Sequence, residues 1–306
     1  MAGFERRTLP PAVEAVREAY APDCPVLDAP GDFETLPPEA AEELGLLVDA
    51  LDPAAYPTEW LPDDAPDRLR RFAGTDFTVG MPGDGTVVWT RQTAPPTVVA
   101  KRRAEGTPEG FLGFLFAEAF VEVSLDVPEH FLPFFGKRYR DLDAATPLGP
   151  GETYQLAAAL FDAWVGIRTR EEFVAWGGDG DGADDGNRTG DGGGAGDGDG
   201  TDSGDGTDEA DTDGVASDGE AGLHPEIHAA WADAGDRLVD RLDDLSGEVA
   251  HGELSFTAAT EYACAAIKHD LDVPAPFAAL DTAAYREHGP AFAVRWAEKT
   301  FETLDE

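Results

Sequence analysis

Pro108-Glu109-Gly110-Phe111-Leu112-Gly113-Phe114-Leu115-Phe116-Ala117-Glu118-Ala119-Phe120-Val121-Glu122-Val123-Ser124-Leu125 is the stretch that decides the fold of this 306-residue chain. Read at 3.6 residues per turn, its four phenylalanines and its leucines and valines cover nearly every side of a helix. A helix that apolar has no face to give to water, so it belongs at the centre of a bundle. Past Phe111 only Glu118 and Glu122 carry charge, about 40° apart on one stripe at roughly 100° per residue.

Working outward, Pro128 opens a second helix with Phe131, Phe134 and Phe135, and Gly151–Val165 and Thr169–Trp176 read as two more. Pro225–Leu245 places Ile227, Trp231, Ala234, Leu238, Leu242 and Leu245 on one stripe, backed by Asp233, Asp236, Asp240 and Asp244. Helices at Ser255–His269 and Pro290–Leu304 follow. Upstream, helices are predicted from Pro11 to Tyr20, from Pro38 through Leu51 and over Asp67–Phe72. Strands are predicted over Phe77–Met81, Thr86–Arg91 and Thr97–Lys101, a three-stranded meander too small to stand alone. The fold class expected is mostly α (α+β), a helical bundle with a small N-terminal β-meander or hairpin. The expected order is an N-terminal helical segment (1–75), the meander (76–103), a helical core (104–176), an acidic linker (177–222) and C-terminal helices (223–306) packing on the core.

Composition alone marks out the linker. Residues 177–222 hold 17 Gly and 15 acids against one base, Arg188, and such a tract cannot bury enough apolar surface to offset its own ordering, so it is expected to be disordered. A chain of that length spans roughly 35–40 Å as a coil, ample for joining two helices of one bundle. The acidity continues outside it. The whole chain carries −40, with only Lys101, Lys137, Lys268 and Lys299 as lysines. That is the pattern of a cytoplasmic protein in a brine-balanced cell, where a Debye length of about 3 Å screens self-repulsion. Bulk attraction to nucleic acid or to an anionic membrane is not expected at such a charge. No apolar run reaches the length of a membrane span. Arg6-Arg7 is followed by Pro10, Pro11 and Glu14 rather than by an export signal. Two cysteines, Cys24 and Cys264, make no disulfide framework.

Against this background one region is anomalous. From Arg68 to Arg140 ten bases face eight acids, so 73 residues carry +2 while the rest carry −42. Arg91, Lys101, Arg102, Arg103, Lys137, Arg138 and Arg140, beside Trp89 and Tyr139, therefore form the candidate binding surface. Its partner would be a phosphate-bearing ligand or an acidic protein held by bidentate guanidinium contacts; the competing reading is arginines paired with local carboxylates. Glu118 and Glu122 could be an acid/base pair or the beginning of a di-metal site. They could equally be a solvent-facing stripe, or the counter-charge to Arg102 and Arg138. His224 and His228 have i,i+4 metal spacing but no evident third ligand. No nucleotide, nucleophile-elbow, zinc or calcium-loop motif occurs, and neither cofactor nor metal is expected.

Two resemblances bear on function. Val87-Val88-Trp89-Thr90-Arg91-Gln92-Thr93 with Pro95-Pro96, and Pro128-Glu129-His130-Phe131-Leu132-Pro133-Phe134-Phe135, resemble an uncharacterised haloarchaeal family catalogued as a domain of unknown function. That family implies no activity and assigns no catalytic residue. His269-Asp270 resembles the His-Asp step of the HD-type metal phosphohydrolases. The resemblance implies an earlier His and a later Asp as further ligands, and the spacing to His251, His228 and Asp281 departs from it. The expectation is thus a non-enzymatic binding or adaptor module. Phosphoester hydrolysis at His269 and Asp270 is the alternative, and an assembly role without a ligand is the third reading.

Overall fold

A computed structural model describes residues 3–74, 76–80, 85–177 and 223–304. Its centre is the helix α4 (Glu109–Ser124), buried over Leu112–Gly113, Phe114 and Phe116–Val121. Around it pack α1 (Pro11–Tyr20), α7 (Pro150–Trp176) and α8 (Pro225–Leu242), with a small sheet against its C-terminal half. Against α7 packs α10 (Phe256–Lys268). Gly166 makes this approach possible, since a Cβ there would lie 2.8 Å from the Lys268 Cβ. One continuous core runs from Val13 through Phe120 and Trp176 to Trp231, Ile267 and Phe301, so helices on both sides of the acidic tract share it.

The remaining helices, in chain order, are α2 (Pro38–Gly45), α3 (Asp67–Phe72), α5 (Phe131–Phe135), α6 (Arg138–Ala144), α9 (Leu245–Ala250), α11 (Ala283–His288) and α12 (Pro290–Leu304). The mostly helical α+β class is what the sequence predicts. Several helix starts follow local chemistry: Ser255 caps α10 by accepting from the Ala258 N–H at 3.2 Å, and proline occupies the first position of α1, α2, α7 and α8. Among the described residues, no helix is long and apolar enough to cross a membrane.

The sheet differs from the predicted meander. Strands β1 (Glu5–Arg6), β2 (Val26–Asp28), β4 (Val87–Thr90) and β6 (Thr97–Ala100) lie in the order β1-β2-β6-β4. The β4–β6 hairpin pairs antiparallel with Val88 opposite Val99, while β2 joins β6 in parallel with Leu27 opposite Val99. A separate ribbon pairs β3 (Ala50–Leu51) with β5 (Thr93–Ala94). Alternation explains why β6 is apolar at every position after Thr97. Val98 and Ala100 face the main core, and Val99, with Leu27 and Val88, faces a second cluster containing Phe4, Leu36, Leu44 and Phe77. The expected strand at Phe77–Met81 contributes one isolated bridge, Thr35 to Thr78, and Met81 lies outside the described residues. Its alternating Phe77 and Val79 are buried in the cluster that α2 covers, so alternation here reports burial without ladder pairing.

Three helix boundaries also move. The helix predicted through Leu51 stops at Gly45, because Ala50–Leu51 is taken up by the ribbon. The two helices predicted across 151–176 are one, since Gly166 serves close packing rather than a break. The stripe through Leu245 is divided, with α8 ending at Leu242 and α9 starting at Leu245. Apart from Gly177, the acidic tract lies outside the described residues. The described residues that flank it meet: a Cβ on Gly177 would fall 2.7 Å from the His228 ring.

Candidate functional site

On the Glu118 and Glu122 stripe, Glu118 is buried and Glu122 is half-buried. Glu118 is 7 % exposed and forms an ion pair with Lys268 Nζ at the end of α10. Glu122 Oε2 accepts from the Trp89 indole N–H on β4 at 2.6 Å. Asp162 of α7, on the exposed side, also acts on both Lys268 and Glu122. Burial first, and the neighbouring Glu118 carboxylate second, push the Glu122 carboxyl up to about 8. Burial works against the Lys268 ammonium, yet Glu118 and Glu122 outweigh it and hold it above its ordinary value. The counter-charge is therefore Lys268, not Arg102 or Arg138. Sequence reasoning missed this lysine, although it is one of only four and the other charged faces use arginine.

From Trp89 the network continues to the surface. The Arg91 guanidinium lies over the Trp89 ring at 5.2 Å, pairs with Asp126 and donates to the Val123 carbonyl at 3.3 Å. Next to it opens a cleft of about 530 Å³, walled by Tyr56, Arg91, Gln92, Pro128, Glu129 and Pro133. Glu129 stitches that wall: it accepts from the Arg91 backbone N–H at 3.1 Å and from Gln92 Nε2 at 3.0 Å. Gln92, buried, also donates to the Thr78 carbonyl at 2.9 Å and accepts from the Ala54 N–H at 3.1 Å. Tyr56 stacks on Trp60 and meets His130 edge-on. Burial pushes the Tyr56 hydroxyl well above its usual value and the His130 imidazole down to about 3. The Val87–Thr93 and Pro128–Phe135 segments thus line one cleft, which no spacing in the sequence announces.

The other basic residues do not gather there. Arg103 engages Asp32, and Arg140 engages Asp63 and the Leu61 carbonyl. Lys101 is buried, as is Tyr139, which packs on Phe131. Arg102, Lys137 and Arg138 are exposed. Among the described residues, no hydrogen bond, ion pair or ring contact joins Arg102 or Arg103 to Lys137, Arg138 or Arg140.

The residues of the hydrolase alternative are engaged internally. His269 lies between Trp231 and Phe114, and burial, then Lys268, bring it down to about 4. Arg170 binds Asp270 at 3.3 Å and Asp281 at 2.8 Å, and donates to the Ile267 carbonyl, closing the end of α10. His224 meets Trp176, while His228 Nδ1 sits 2.8 Å from the Phe173 carbonyl. Among the described residues no group of three or more His, Cys, Asp or Glu side chains is arranged to hold a metal ion. Both cysteines are buried, and burial raises both thiols, Cys24 to about 12.

Fold and site together define a helical α+β protein with an internal charge cluster running out to a small cleft. The chain belongs to a family of unknown function, DUF7089, whose model matches residues 3–188 and 215–304. Among curated proteins and among solved structures, nothing matches the chain.

Proposed function

We propose that this is a cytoplasmic binding or adaptor module adapted to concentrated salt, and that its partner seats in the cleft between Tyr56, Arg91 and Glu129. The observation that carries this reading is the Glu129–Gln92 network. It ties four separate chain segments into one pre-formed wall, and a wall ordered in advance lowers the cost of binding. The side chains that chemistry would need are used inside the fold: Glu118 by Lys268, Glu122 by Trp89, and Asp270 and Asp281 by Arg170. The test is capture from a high-salt lysate with the full chain and with Ala55→Arg, which fills the cleft from its exposed rim. A partner retained equally by both proteins removes the cleft from the reading.

A second reading, an acidic protein or phosphate-bearing ligand on the basic clusters, is favoured by Arg102, Lys137 and Arg138, which are exposed and enter no ion pair among the described residues. Lys137→Glu with Arg138→Glu would abolish capture under that reading and leave it intact under the first.

A further inference from the structure

The junction of α4, α7, α10 and β4 has an unbalanced charge count. Three carboxylates, Glu118, Glu122 and Asp162, surround one ammonium, Lys268. Glu118 takes the ion pair. Glu122 has only an indole N–H, a neutral donor, and sits one turn from Glu118, the arrangement in which like charges repel. The guanidinium groups that reach α4 already have carboxylate partners: Arg7, over the Phe116 ring, pairs with Asp28, and Arg91, at the Val123 carbonyl, pairs with Asp126. Elsewhere α1 and α8 meet α4 at Gly113 with Val13 and Ile227, and α7 adds Phe173 against Phe114. On α10 the further titratable groups near the cluster are Cys264, a buried thiol, Glu261, which would add negative charge, and His269 just past its end, which burial and Lys268 hold down to about 4. Two carboxylates close together in such surroundings do not both ionise when one can keep its proton.

We propose that Glu122 carries a proton in the folded protein at neutral pH and that the junction is a proton-operated brace. With the proton in place, one ammonium balances one carboxylate, and Trp89 is hydrogen-bonded to a neutral carboxyl group. Loss of the proton sets two carboxylates a turn apart against Lys268 alone and loosens α4 from β4 and α10. Because Arg91 rests on Trp89, the loosening reaches the wall of the cleft; the brace itself stands whether or not the cleft binds a partner. The balance is simple: one proton leaves Glu122 for solvent and no bond between heavy atoms changes. The direction agrees with the carboxyl's raised titration point.

The test is thermal unfolding of the full chain between pH 6 and 9.5 at fixed molar salt, comparing wild type with Glu122→Gln. Glutamine mimics the protonated carboxyl and keeps an oxygen for the Trp89 N–H. The expected result is a wild-type melting temperature lower by about 4 °C at pH 9 than at pH 6.5, and a variant that falls clearly less, since the raised thiols of Cys24 and Cys264 act alike in both proteins. A wild-type profile that is flat, or a variant that falls just as far, overturns the proposal. Should Glu122→Gln not fold, selectively labelled glutamate in the wild-type protein decides by carbon NMR. One side-chain carboxyl must still be protonated at neutral pH, and its absence is equally fatal.

Discussion

Trp176 and His224 stand at the two ends of the Gly/Asp tract and meet edge to face, their ring centroids 5.0 Å apart and their planes at 80°. Tyr20 completes the contact from α1, packing on Trp176 at 5.7 Å and bonding Glu172 at 2.5 Å. The tract therefore leaves and re-enters the fold at one place. The family match skips residues 189–214 as well. Replacing 178–222 by a short Gly/Ser linker should leave helix content unchanged. Shortening the closed loop should stabilise the fold by about 1–2 kcal/mol, at roughly 0.6 kcal/mol per halving of length. Circular dichroism and a melting curve check this, and a large loss of stability would show that the tract itself holds the ends together.

Breaking the Glu118–Lys268 pair has a defined sign. Lys268→Met strands the Glu118 carboxylate, which is 7 % exposed. A loss of about 2–3 kcal/mol is expected, somewhat below that of a wholly buried pair because the Lys268 side chain is 27 % exposed. Adding Glu118→Gln to Lys268→Met should recover part of it. Denaturant unfolding of the three proteins in a double-mutant cycle measures the coupling.

Gly166→Ala tests the close approach of α7 to α10. Its new methyl group would meet the Lys268 Cβ at 2.8 Å and Cα at 2.9 Å, and backbone cannot swing away as a side-chain tip can. A cost of about 1–3 kcal/mol follows from overpacking, despite alanine's better helix propensity. A neutral result in denaturant unfolding would mean that α7 and α10 can part without penalty.

Acid pH acts through the buried imidazoles. His130 and His269 are held down to about 3 and about 4 by burial, from an ordinary value near 6.5. Between those limits the unfolded chain binds protons that the folded one does not, so stability falls as pH drops below roughly 6.5. Glu122, raised from 4.5 to about 8, has the opposite slope across that whole interval; the two histidines outweigh it below their ordinary value, so the optimum falls near there. His130 Nδ1 accepts from the Leu132 N–H at 3.2 Å, a role an asparagine oxygen can fill. His130→Asn should make the acid loss shallower, as read from melting temperatures between pH 4 and 7.

Net charge sets the salt response. A chain at −40 repels itself in dilute buffer, and Debye screening falls from roughly 30 Å at 10 mM to about 3 Å at 1 M. The melting temperature should climb steadily with potassium chloride over that range. A flat response would mean that the carboxylates are neutralised locally.

Composition and period were enough to place the principal helices, though not their ends or the short helices α6 and α11. The all-round apolar run at Phe111–Val123 had to be central, and the stripe of Ile227, Trp231 and Leu242 had to face inward, because both signals are local and helices satisfy their own backbones. Strand partners were not legible. Glu5–Arg6 and Val26–Asp28 are too short to show a period, and their pairing is set by what lies beside β6. The site divided in the same way. Spacing alone sets Glu118 and Glu122 on one stripe, and composition alone sets a group of arginines apart in an acidic chain. That Lys268, from the far side of the acidic tract, neutralises Glu118, and that Asp32, Asp63 and Asp126 take Arg103, Arg140 and Arg91, emerges in three dimensions alone. Electrostatic partners are chosen across space by burial and distance, and one-dimensional spacing carries neither.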